Sequence, residues 1–158
     1  MKVLVSKCLL GENCRYKGDN CKNDKVLEFL KDKEVISVCP EVAGGLPTPR
    51  DPGERVANKV ITISGKDVTA EYTKGAELAL KLAQENNVDL VIFKAKSPSC
   101  GCGLIYDGTF SGNKIPGNGV STELLLKNGF KVITWSVTIH LPGFGKTFSV
   151  PGKALTSR

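Results

Sequence analysis

Short apolar runs alternate with longer mixed segments along this chain. KVLVS (2–6), EVISV (34–38), DLVIFK (89–94) and KVITW (131–135) are rich in β-branched residues and predict four strands. Between them apolar positions recur at helical spacing. Val26, Leu27, Phe29 and Leu30 form the apolar side of a helix that Asp24 can cap and that ends near Leu30 or Lys33. A long helix is predicted over 70–86, with Leu78, Leu80, Leu82 and several alanines as its buried face and Asn86–Asn87 at its end. A third covers 120–128, with Gly129 just past it as a C-cap. PEVAGGLPTPRDPGER (40–55) carries four prolines and three glycines and reads as neither helix nor central strand. Residues 59–69 read as a hairpin, KVITI and DVT around SGK. GLIYDGTFSGNKIPGNG (103–119) is a second glycine-rich loop, and the tail from Leu141 is expected to be irregular.

Strands alternating with helices predict an α/β fold, a three-layer sandwich around a mainly parallel, Rossmann-like sheet. One domain spans 1–158, with 141–158 as its tail. Ligands of such sheets bind beyond the carboxyl ends of the strands. Cys8, Cys39 and Cys100 each stand just after a predicted strand. If those strands are parallel neighbours, the three thiols converge on one edge of the sheet.

Composition narrows the class. The 41% hydrophobic and 24% charged residues are ordinary for a globular protein, and no apolar run approaches the ~20 residues of a membrane span. The N-terminal run is short, is broken by Lys7 and has strand character, unlike a signal peptide, so the cytoplasm is the expected location. The net charge of +6 would favour an anionic partner. Lys22, Lys25, Lys31 and Lys33 nevertheless alternate with Asp24, Glu28, Asp32 and Glu34, as on a solvated helix. No basic–aromatic stripe appears, so nucleic acid is not the favoured partner.

Six cysteines, at 8, 14, 21, 39, 100 and 102, are the informative feature. A reducing compartment directs them to metal binding or catalysis rather than to disulfides. No pair forms C-x-x-C and His140 is the one histidine, which excludes Cys2His2 fingers and zinc ribbons. A single buried cysteine is usually a small hydrophobe. Three at equivalent strand ends, each leading into a Pro- or Gly-containing loop, are harder to read that way. They could hold zinc with one position open, or three irons of a 4Fe–4S cluster with the fourth iron free, and spacing alone does not choose. Glycines such as Gly101 and Gly103, whose neighbouring N–H groups can approach sulfides, lean toward the cluster. Cys14 and Cys21 lie in a polar loop as extra ligands, spare thiols or a redox pair.

Catalysis needs a proton-transfer group. Glu41, two residues after Cys39, can reach the same region and activate water, although a surface or cap role is the ordinary one for such a glutamate. Ser97 and Ser99 can donate to a substrate or shape a Ser-Pro turn. Arg15 and Arg50 can bind oxygen or pair within loops. GNKIPGNGVS lacks the Walker pattern, no G-x-G-x-x-G follows the first strand, and His140 is read as structural or exposed.

Three segments carry a resemblance: SKCLLGENCRYKG (6–18), VCPEVAGGLPTPRDP (38–52) and KAKSPSCGCGLIYDGTF (94–110). They are similar to the thiouracil desulfidases, small bacterial and archaeal proteins long known as a domain of unknown function, and GNGVSTELLLKNG resembles that family's C-terminal part. The resemblance covers residues 2–135. It implies a 4Fe–4S cluster on three cysteines, here Cys8, Cys39 and Cys100, whose free iron takes sulfur from a thiolated nucleobase. It also implies an acidic residue assisting water, assigned to Glu41, and a serine orienting the substrate, Ser97 in preference to Ser99. The implied reaction is hydrolytic and non-redox: thiouracil plus water gives uracil plus hydrogen sulfide. Cys14, Cys21 and Cys102 are additional to the three-cysteine pattern, and Cys102 competes with Cys100 on the same turn. The rival expectations are a zinc- or cluster-bearing nucleic-acid-binding module without turnover, and a metal-free persulfide enzyme using Cys100 and Cys102.

Overall fold

In strand β1 (Lys2–Ser6) the side chains alternate between two buried faces. Val3 and Val5 enter one apolar cluster and Leu4 the other, all three fully buried. A strand covered on both sides belongs in the middle of a parallel sheet with helices above and below. The computed structural model describes residues 1–135 throughout and, beyond them, the backbone at 138–140, 147–149 and 155–156.

A 3-10 turn (Lys7–Leu10) follows β1, and helix α1 (Asp24–Leu30) follows the polar loop. Asn23, not Asp24, caps α1: its side-chain oxygen accepts from Lys25 N and Val26 N. The cap must stand one residue before the helix to meet those amides. Next come β2 (Glu34–Val38) and a one-turn helix α2 (Pro40–Ala43). The Pro-rich segment was not expected to hold a helix, but proline at the first helical position gives up no hydrogen bond.

β3 (Gly53–Val56) and β4 (Lys59–Thr62) form an antiparallel hairpin around Ala57 and Asn58. The expected hairpin had β4 pairing forward with DVT. Its partner instead precedes it, where GERV is free of proline. Asp67 makes only a single bridge to Ile61, and its carboxylate takes Thr69 N at the start of α3 (Thr69–Glu85). The face α3 buries is Tyr72, Gly75, Ala76, Ala79 and Ala83, with Leu78, Leu80 and Leu82 half-buried beside it. Small residues, rather than the leucines, let the helix lie close to the sheet.

β5 (Leu90–Lys94) alternates as β1 does, Leu90 and Ile92 to one face, Val91 and Phe93 to the other. The second glycine-rich loop contains a small hairpin, β6 (Leu104–Tyr106) with β7 (Lys114–Pro116). α4 (Val120–Lys127) and β8 (Lys131–Trp135) follow. β9 (Thr138–His140) pairs with β10 (Thr147–Ser149), and β11 (Leu155–Thr156) lies antiparallel beside β8. Most of the tail expected to be irregular, and the side chain of His140, lie outside the described residues.

The central sheet runs β2-β1-β5-β8 with all four strands parallel, and β11 is added at the β8 edge. α1 and the 3-10 turn cover the face of Val3, Val5 and Ile92, while α3 and α4 cover that of Leu4, Val91 and Phe93. The fold is the expected three-layer α/β sandwich. Among the described residues no helix is long and apolar enough to cross a membrane.

Candidate functional site

β2, β1 and β5 are adjacent and parallel, so their carboxyl ends open on one edge of the sheet. Cys39 follows β2, Cys8 sits in the 3-10 turn after β1, and Cys100 lies in the turn after β5. All three line one cavity of about 440 Å³, together with Glu41 and Ser97.

Glycines set the Cys39 side. A Cβ on Gly75 of α3 would lie 1.9 Å from the carbonyl oxygen of Pro40, and one on Gly44 would lie 1.9 Å from that of Glu71. The backbones of α2 and α3 therefore touch, which no side chain at either position allows. This contact brings α3's Tyr72 to Glu41. Tyr72 donates its hydroxyl to Glu41 Oε1, and Arg50 Nη2 lies 3.3 Å from Glu41 Oε2. Arg50 also donates to the carbonyls of Cys14 and Pro47 and to the Thr48 hydroxyl. Arg50 is thereby committed to holding loops together, whereas Arg15 lines the cavity and pairs with Asp19. Burial first, then the Glu41 charge, pushes the Tyr72 phenol far above its usual range, so it stays a donor.

The Cys100 side is set by hydroxyls. Ser97 Oγ accepts from the amides of Ser99 and Cys100, both at 3.1 Å. With both lone pairs taken, its own proton is left to donate. Ser99 is fully buried, and its hydroxyl is engaged with that of Ser121. Thr122 Oγ1 donates to Cys100 O, and Gly119 lets α4 start against the turn, since a Cβ there would lie 2.3 Å from Ser99 O. Cys102 points away: its sulfur lies 3.7 Å from Val132 O, among core residues under α4, and it does not line the cavity.

Cys14 lines the cavity as well, which its place in a polar loop did not reveal. The Cys39 thiol lies 3.7 Å from Cys14 O. A hydrogen bond with Cys39 lowers the Cys14 pKa, but a hydrogen bond with Cys8, burial and the nearby Cys8 and Glu12 charges carry it up to about 11. Cys39 is raised further, by its hydrogen bond with Cys14 and by burial. Burial pushes Cys100 up to about 12 against a hydrogen bond with Ser6. At neutral pH these thiols carry protons that a metal must displace. Cys21 is half-buried and packs against the cluster that holds Cys8. All six cysteines are free.

The sequence model of the 2-thiouracil desulfurase family matches residues 3–136. The chain belongs to this family. An uncharacterized protein of Bacillus subtilis (strain 168), YbbK, is 46% identical to this family member over 142 residues, covering 84% of this chain and 94% of that protein. A solved structure of the 4Fe-4S-dependent thiouracil desulfidase TudS superposes with a TM-score of 0.80 at 46% identity, covering 84% of this chain and 89% of the other.

Tyr72 and Glu54 also belong to the site and were not singled out from the sequence. A tyrosine on an apolar helix face reads as core, and Glu54 was hidden in the proline-rich segment.

Proposed function

We propose that this protein is a thiouracil desulfidase that hydrolyses a thiolated uracil, using a 4Fe–4S cluster held by Cys8, Cys39 and Cys100. The convergence of those three thiols, from loops after three adjacent parallel strands, on a cavity shared with Glu41 and Ser97 carries the reading. Family membership and the 46% identity to a 4Fe-4S-dependent desulfidase support it. The donor set fits such a cluster. Soft thiolates suit iron and sulfide. Bound through three thiolates, the cluster supplies an iron with an open position, a Lewis acid toward sulfur.

The chain's own residues supply the rest. Glu41 accepts from Tyr72 at Oε1 and pairs with Arg50 at Oε2, which fixes the plane of its carboxylate. The other lone pairs remain to orient a water in the cavity and take its proton. Ser97, with its hydrogen free, donates to the substrate's exocyclic carbonyl oxygen. Water's oxygen ends on the carbon that carried sulfur, and its two protons leave with the sulfur as hydrogen sulfide. No electrons are gained or lost, so no reductant is consumed. The reading includes a small-molecule substrate and a cytoplasmic setting.

The deciding experiment is anaerobic reconstitution followed by incubation with 2-thiouracil or 4-thiouracil and no reductant. The expected result is about four irons per chain and one sulfide released per uracil formed. Zinc in place of iron, or a full cluster with no sulfide released from either base, overturns the proposal.

A further inference from the structure

Glu54 on β3 is 9% exposed and lines the cavity, and among the described residues no ion pair includes it. A buried carboxylate needs a cation or several N–H donors. Glu54 has donors. The amides of Gly108 and Phe110 both bind one oxygen, Oε1, at 2.9 and 3.2 Å. They belong to the turn of the β6–β7 hairpin, which also meets the body of the domain at the Lys96–Ile105 bridge. Gly108 has φ +94° and lies so close to Val56 that a Cβ there would be 2.4 Å from its methyl. Phe110 has φ +54°, in the left-handed region that a phenylalanine adopts only where its surroundings hold it. Phe110 of this turn and Tyr106 at the end of β6, both half-buried, line the cavity. Flat aromatic faces are what a planar pyrimidine packs against, whatever its substituents.

We propose that Glu54 is a positioning residue for the substrate: by binding Gly108 N and Phe110 N it fixes the 107–112 turn so that Phe110 and Tyr106 form an aromatic wall for the pyrimidine ring. This rests on the desulfidase reading for the identity of the ring. Glu54 lines the same cavity as Glu41, so a proton-transfer role has to be told apart from a positioning one. Because both amides meet a single oxygen, glutamine can replace glutamate in positioning but not in proton transfer.

The test uses the iron-loaded protein and its Glu54→Ala, Glu54→Gln and Phe110→Ala variants, with 2-thiouracil as ligand. Glu54→Ala should speed hydrogen exchange in the peptide covering 104–116 and leave iron content unchanged. It should raise KM about tenfold, the scale of one base–aromatic stack, with kcat within about twofold. Phe110→Ala, which leaves Glu54 intact, should raise KM similarly. Glu54→Gln should restore both exchange and KM. Loss of kcat in Glu54→Gln at unchanged KM would overturn the proposal by making Glu54 a proton carrier. So would unchanged exchange or unchanged KM in Glu54→Ala. Iron-loaded wild type that neither binds nor turns over thiouracil would sink the desulfidase reading, and the pyrimidine wall with it. Wild-type turnover with unchanged KM in both alanine variants sinks the wall alone.

Discussion

Tyr72 on α3 donates its hydroxyl to Glu41 on α2, across the backbone contact that Gly44 and Gly75 permit. Arg50 holds the other carboxylate oxygen, so the orientation of Glu41 is set from two sides. Glu41→Gln should keep the cluster and lose about 10²–10⁴ in kcat, the range of a positioned general base. Tyr72→Phe removes one hydrogen bond to a charged acceptor, and kcat should fall about tenfold with iron content unchanged. Iron assay and steady-state kinetics on the two variants check this. Normal turnover in Glu41→Gln would remove it as the base.

Gly75→Ala sets two effects against each other. Alanine in a helix interior is favoured over glycine by about 1 kcal/mol. The new methyl, however, would stand 1.9 Å from Pro40 O, a backbone atom that cannot swing aside. Overpacking of this kind costs about 1–3 kcal/mol or more, so the clash wins. The expected outcome is a lower melting temperature and, because α2 must move, weaker retention of iron. A thermal melt beside an iron assay reads both; a more stable variant would mean that propensity decides.

The β1, β2, β5 and β8 runs were legible because β-branched residues between polar boundaries leave few alternatives, and so the strand-end position of Cys8, Cys39 and Cys100 was legible too. Convergence followed once β2, β1 and β5 proved to be parallel neighbours. Of the two hairpins only β4 was legible, as KVITI. Its partner β3 and both strands of β6–β7 are three or four residues long within glycine- and proline-rich sequence, where no period can be seen. The place of Cys14 depends on how a non-periodic loop folds back, and no spacing rule reports that. Tyr72 fell inside the helix read over 70–86 without being singled out, and its hydroxyl's partner is 31 residues away in sequence.

Acid stability should depend in part on Arg55 and Glu123, which join β3 to the first turn of α4. The hydrogen bond from Arg55 holds the Glu123 pKa below the ordinary carboxylate range. A depressed folded pKa means that the pair stabilises the fold above the unfolded carboxylate pKa. That contribution is lost as pH falls through the lower folded value. Urea unfolding from about pH 6 to about pH 2 should therefore show a steeper loss of stability in wild type than in Glu123→Gln. Parallel curves would mean that the pair contributes nothing. The effect should be modest, because Glu123 is 38% exposed and water screens the pair.

Cysteine replacement separates the thiols that face the cavity from those that do not, Cys21 and Cys102. Cys8, Cys39 and Cys100 come from three loops, and alanine at any one leaves two of the proposed ligands. Each variant should lose most of its iron and its visible absorbance after anaerobic reconstitution, and activity with them. Cys102 is the control, since its sulfur is turned to Val132 O under α4. Cys102→Ala should keep full iron and turnover, at a stability cost of about 1 kcal/mol for the lost packing. Cys14 is the sharper case, because it lines the cavity together with Cys8 and Cys39, and the Cys39 thiol lies against its carbonyl. If three ligands suffice, Cys14→Ala keeps about four irons per chain. Loss of iron from Cys14→Ala with retention in Cys100→Ala would move the third ligand from the β5 turn to the polar loop. Loss in all four variants would mean a fully ligated cluster, with no open iron for a sulfur atom to reach.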